Sequence, residues 1–231
     1  MKKISKLTVI TTLITLLPIV LGIALYDSLP DVVATHWNIH NRPDGWSSRA
    51  MAAFGMPGIL ALINLVCSIA MEIYPDSPFV KVRPVSIKAV GGWEKENKLA
   101  DKVSPRLMWL CRWIIPVLSL ILVPVMLYSA MGVSFDMGRI VCSILGIMFI
   151  IIGNYLPKCR RNGVVGIKIP WTLSSDENWD KTHRFAGFVW IVCGAAAIVG
   201  GWIKPVVAIV ALVAMILLPV VYSGILKHKG I

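Results

Sequence analysis

Charge is what this sequence has least of. Only 15% of its 231 residues are Asp, Glu, Lys or Arg, against about a quarter in an ordinary soluble domain. Six stretches have none at all: Leu7–Tyr26, Ala50–Met71, Trp113–Phe135, Ile140–Pro157, Phe185–Ile203 and Pro205–Leu226. At a rise of about 1.5 Å per residue, roughly 20 apolar residues cover the hydrocarbon core of a bilayer. Lipid cannot satisfy free backbone N–H and C=O groups, so these stretches must be helical. The expected fold is all-α: a polytopic membrane protein of six transmembrane helices. A proton-driven transporter or channel generally needs an ionisable group within its spans, so the empty span centres count against a small transporter.

Acidic residues are scarcer than basic ones, 12 against 23, and the net charge is +11. That excess could suggest nucleic acid, but its placement does not. With the N-terminus in the cytoplasm, nineteen of the 23 basic residues fall on the cytoplasmic side, leaving Arg42, Arg49, Arg139 and Lys204 outside. This is the positive-inside pattern. It places both termini in the cytoplasm and makes the bilayer, with its anionic lipids, the partner of the charge. No direct nucleic-acid partner is expected. The first stretch begins like a signal peptide. Its apolar core is too long for one, however, and no small-residue cleavage pattern follows Tyr26, so a retained helix is expected. The five cysteines lie in or beside spans and none in the long outer loop, which excludes a disulfide framework there. Repeats and low-complexity tracts are also missing.

What remains divides the chain into three parts. Residues 1–72 form a two-helix unit with an outer loop over 27–49. Residues 73–112 form a cytoplasmic loop. Residues 113–231 form a four-helix unit with a cytoplasmic loop over 158–184. In the first cytoplasmic loop, Ser77–Pro84 reads as extended, and Lys95–Arg106 as a short surface helix ending near Ser104-Pro105. Trp93, Trp109 and Trp113 suit the membrane interface. Pro18, Pro116, Pro124 and Pro219 fall within spans as kinks.

Two polar segments carry information. The outer one contains His36, Trp37, Asn38, His40 and Asp44. Asn41 to Gly45 is turn chemistry. His36, His40 and Asp44 recur every four residues, so on a helix they would share a face and offer a zinc-type donor set for a metal-dependent membrane enzyme. Pro43 and Gly45 argue against such a helix. The inner segment runs from Asn154 through Lys168, Pro170, Trp171, Thr172 and Ser174 to Trp179, Thr182, His183 and Arg184. Gly163 and Gly166 permit a tight backbone reversal. Ser174 with Glu177 predicts a capping box opening a helix into the fifth span. On that helix Trp179, His183, Ala186 and Trp190 would share one face. One reading is a capped helix entrance. The other is a docking face or ligand pocket built from Lys168, Trp171, Trp179, His183 and Arg184, with His183 a further residue open to an enzyme.

The run Asn154-Tyr155, then Gly166-Ile167-Lys168-Ile169-Pro170-Trp171-Thr172-Leu173-Ser174, Trp179, Thr182-His183-Arg184 and Gly187 resembles the signature of the SdpI family of bacterial immunity proteins. The outer segment, Leu29-Pro30-Asp31 through Thr35-His36-Trp37-Asn38 to Pro43-Asp44-Gly45, is similar to an uncharacterised domain that commonly precedes it. The family usually carries Arg and Thr where this chain has Lys168 and Ile169. Lys keeps the charge but loses the planar fork, so a bidentate contact there is not expected. The resemblance implies protection against a secreted, membrane-active peptide toxin. It also implies signalling through capture of a cytoplasmic transcriptional repressor. His36, Trp37, Asn38 and Asp44 would then face toxin, and the inner signature a repressor. No catalytic residue or cofactor is carried over.

Overall fold

The computed structural model describes residues 4–73, 105–162 and 165–231. The expectations for Ser77–Pro84, Trp93, Gly163 and most of Lys95–Arg106 lie outside them. Among the described residues, six helical segments are long and apolar enough to cross a membrane: Lys6–Ser28, Met51–Ile73, Arg106–Ala130, Met137–Lys158, Asp176–Ile203 and Pro205–His228. They correspond one to one with the six uncharged stretches. The protein is a multi-pass helical membrane protein.

The first span is α1 (Lys6–Leu16) and α2 (Pro18–Leu25), with Pro18 opening the second helix. Proline lacks the N–H that would continue α1, but its fixed φ suits a first helical position. An antiparallel hairpin follows, β1 (Val32–Trp37) on β2 (Pro43–Ser48). The second span starts as a π-turn over Met51–Gly55 and continues as α3 (Met56–Ile73). The third span, α4, runs Pro105–Ala130 with Pro116 and Pro124 inside it. It thus begins at Pro105, not Trp113, and ends before the Gly132 turn, where φ is +91°. Trp109 and Trp113 sit on it 5.7 Å apart.

The second half comprises α5 (Met137–Tyr155), a short α6 (Pro170–Ser174), α7 (Asp176–Ile203) and α8 (Pro205–His228). Asp136 caps α5 by accepting from the Arg139 N–H at 3.0 Å. The links are short: residues 131–136 join α4 to α5, and Lys204 alone joins α7 to α8. α5 and α7 pack through facing glycines: a Cβ on Gly146 would come within 2.5 Å of the Gly194 carbonyl oxygen, and one on Gly153 within 2.9 Å of that of Gly187. Small residues let membrane helices approach this closely.

α4 packs on α1, α2 and α3, and α5, α7 and α8 pack together. The outer hairpin joins these groups. Asn41, at the turn with φ +56°, accepts from the Met137 N–H at 2.8 Å and donates to the Phe135 carbonyl at 3.2 Å. Two chain segments that the charge pattern puts outside therefore do meet at one end of the bundle.

Candidate functional sites at the outer and inner faces

The outer hairpin is built by strand alternation. Val33 is fully buried and joins Leu29, Ala52, Ala53, Val123, Met126 and Leu127 in a core beneath the hairpin. The turn lies over residues 38–42: the Asn38 side chain accepts from the N–H groups of His40 and Arg42, at 2.9 and 3.1 Å. Pro43, Asp44 and Gly45 are strand residues and not the turn itself. The four-residue repeat of His36, His40 and Asp44 is therefore not a helical face. His36 and Asp44 bond across the two strands, Nδ1 to Oδ1 at 2.5 Å, while His40 stands exposed beyond the strand ends. Among the described residues, no three His, Cys, Asp or Glu side chains gather as a metal set.

Beneath the hairpin is a cavity of about 540 Å³. Its rim is polar: Thr35, His36, Asn38 and Ser47, with Trp37 among them. Its walls come from the π-turn, α3, α4 and the first turns of α5, and are apolar. Three of the four outer candidates, His36, Trp37 and Asn38, thus line one cavity, and Asp44 reaches it through His36. Sequence reading missed the walls, since Leu60, Val123 and Met126 look like ordinary span residues. The one available signal was a concentration of methionines at outer helix ends.

The inner signature is a compact knot. Gly166 adopts φ +127°, where L-residues are rare, and a Cβ there would lie 2.6 Å from His183 Nε2 and 2.7 Å from the Trp179 ring. The adjoining Ile167 N–H donates to His183 Nε2 at 2.9 Å. That nitrogen must then be unprotonated, so the other, Nδ1, carries the hydrogen and donates to the Trp179 carbonyl at 2.8 Å. The two rings stack, centroids 4.0 Å apart. Trp179 Nε1 donates to the Cys159 carbonyl at 2.7 Å. Thr172 accepts from the Ile169 N–H at 3.1 Å and donates to the Ile167 carbonyl at 2.7 Å. Thr182 donates to Asn178 Oδ1 at 3.1 Å.

Arg161, Asn162 and Asn178, which the sequence did not single out, complete the knot. Arg161, almost wholly buried, pairs with Asp176 at 2.6 Å and donates to the Leu173 carbonyl at 2.6 Å. Asn162 accepts from the Val165 N–H at 2.8 Å and donates to the Arg160 carbonyl at 2.7 Å. Asn178 donates to the carbonyls of Ser223 and Ile231, each at 3.1 Å, fastening α8 and the last residue to α7. Cys159 is buried in the knot; burial pushes its thiol up to about 11, against a smaller opposing effect of the Asn162 hydrogen bond.

Two expectations need correction. The cap of α7 is Ser175, which accepts from the Asn178 N–H at 3.2 Å; Ser174 belongs to the preceding short helix and donates to the Trp171 carbonyl. Two consecutive serines separate two helices here, and the capping pattern fits the wrong one. The face of Trp171, Trp179, His183 and Arg184 also divides. Trp179 and His183 are wholly buried with Ala186, while Arg184 is exposed, because one residue along a helix turns the side chain by about 100°. Trp171 is half-buried, with Lys227 over its ring at 5.0 Å. Asn154, Lys168, Pro170 and Ser174 are exposed with Arg184.

A third polar feature went unread. Glu72 at the inner end of α3 pairs with the buried Arg112 of α4 at 3.3 Å and accepts from the Ser5 and Thr8 hydroxyls. A seam of Thr8, Thr11, Thr15, Asn64, Ser68 and Ser119 continues from it into the first three spans, all of them buried. Spacings of three, four and seven keep each helix's members on one face.

These features define a class: a six-span membrane protein with a roofed apolar cavity at one face and a hydrogen-bonded signature knot at the other. Comparison with known proteins narrows it. Residues 158–223 match the SdpI/YfhL protein family, and residues 13–61 match a domain of unknown function, DUF1648. The chain thus carries an SdpI-family segment behind that domain. It is 24% identical to the "Immunity protein SdpI" of Bacillus subtilis (strain 168) over 223 residues, 96% of this chain and 95% of the relative. That relative is named for immunity and not for an enzymatic reaction. No solved structure matches.

Proposed function

We propose that this protein is an SdpI-like membrane immunity protein, and that it binds a membrane-active peptide toxin in the outer cavity. The observation that carries the reading is the cavity itself: apolar walls for side chains, beneath a rim of hydrogen-bonding groups from the hairpin. That division suits a peptide, whose backbone needs partners that an acyl chain does not. The relative spanning nearly the whole chain is named for immunity, which supports the same reading. The test is protection of a sensitive bacterial strain against the cognate toxin. Replacing His36, Trp37 and Asn38 together with Ala lowers protection at unchanged membrane level. Full protection in that variant refutes the cavity as the site.

Repressor capture is the second reading, favoured by the exposure of Lys168, Pro170 and Arg184 beside the buried knot. Arg184→Ala leaves Trp179 and His183 untouched, so it should abolish co-purification of a repressor without lowering protein level. Unchanged co-purification removes Arg184 from the docking surface.

A further inference from the structure

Four of the ten methionines, Met51, Met56, Met126 and Met137, line the cavity beneath the hairpin. They come from four different places: the π-turn, α3, α4 and the start of α5. Resting on the toxin-binding reading, we propose that the cavity is an adaptable socket for aromatic side chains of the peptide, with methionine sulfur as the selecting group.

Three observations support this. Methionine is unbranched and polarizable, re-packs around different shapes and favours sulfur–aromatic contact. The π-turn is itself unusual, since single π-turns inside helices are rare and concentrate at functional sites. It folds Met51 back over Gly55, where a Cβ would lie 2.2 Å from the sulfur, so only glycine leaves that rotamer room. The methionines also differ in freedom: Met126 and Met137 are buried in the wall, whereas Met51 is 39% exposed at the mouth. A buried wall with one exposed thioether at the opening suits a socket that closes on its occupant. At about 540 Å³ the cavity falls within the range of sites that enclose a small molecule, room for a short apolar stretch and not only one ring. Promiscuous binding surfaces use methionine in the same way.

The test uses the full protein in nanodiscs of zwitterionic lipid, with empty nanodiscs as background. The probes are an amphipathic Leu/Lys peptide bearing one Trp on its apolar face, and the same peptide with Leu in that place. The wild type should hold the Trp peptide about fivefold more tightly. Changing all four methionines to Leu keeps cavity volume and should bring the two affinities within about twofold of each other. Ile59→Trp, at an exposed cavity-lining position, should weaken both peptides. Thermal unfolding of each variant checks that it is folded. A Trp preference that persists in the four-Leu variant, or is absent from the wild type, overturns the methionine inference alone. Unchanged binding of both peptides in Ile59→Trp, or no binding above empty nanodiscs, overturns the cavity reading with it.

Discussion

Gly166→Ala tests whether the signature knot holds the inner face together. Two costs add. The residue sits at φ +127°, where a Cβ strains the backbone by about 1–2 kcal/mol. The new methyl would also lie 2.6 Å from His183 Nε2 and 2.7–2.8 Å from two ring carbons of Trp179. Overpacking of this kind costs typically about 1–3 kcal/mol. His183 cannot yield freely, because Nε2 accepts from Ile167 and Nδ1 donates to Trp179; nor can Trp179, tied to the Cys159 carbonyl. The combined penalty is about 3 kcal/mol. Gly224, on α8, is the control: a Cβ there meets nothing within 4 Å, and Gly to Ala within a helix gains about 0.5–1 kcal/mol. Fluorescence-detected thermal unfolding of fusion proteins in detergent reads both. Gly166→Ala should melt well below the wild type and Gly224→Ala at or above it. Equal melting of the two variants would refute the knot as a stabilising structure.

Ser175→Ala should lower stability by about 1 kcal/mol through loss of the α7 cap, whereas Ser174→Ala should change it little; thermal melts of the pair decide between the two serines. Cys159 should resist alkylation in the folded protein at pH 8, where a thiol titrating at about 11 is ionised in only about one molecule per thousand, and should react once the protein is denatured; rapid labelling of the native protein would show that the knot opens. Glu72→Leu alone should destabilise by about 3–5 kcal/mol, leaving Arg112 charged and buried, and adding Arg112→Met should recover most of the loss; equal melting of the single and double variants would mean that the ion pair has no such role. Reporter fusions at Asp44 and Asp176 should report opposite sides of the membrane, the first outside; the same side for both would end the two-faced arrangement.

The spans were legible because lipid leaves the backbone one solution, and a charge-free run of the right length states it openly. Sidedness was read from lysine and arginine, which the positive-inside tendency distributes between the two faces. The hairpin was not. Val32–Trp37 contains His and Thr among its apolar residues, and its strand character comes from Val33 docking into a core shared with Ala52 and Leu127, which lie far off in sequence. The cavity was hidden for the same reason: each wall residue is unremarkable on its own helix, and only the meeting of four elements makes a space.

The inner signature shows how a motif can be read correctly as a pattern and wrongly as a surface. Its least replaceable residues are Gly166, held by its positive φ and the close approach of His183 and Trp179, and Thr172, Trp179 and His183, whose polar atoms are directed inward at backbone groups. A buried N–H or carbonyl without a partner costs free energy comparable to a lost hydrogen bond. A chain that must turn back into the membrane immediately after a loop therefore needs side chains to serve those groups. On this argument the knot is the support, and what it supports is the exposed set of Lys168, Pro170, Ser174 and Arg184. Any inward recognition should be sought there. The outer face follows the same logic, with Asn41 serving the free amide of α5 and thereby holding the hairpin over the cavity.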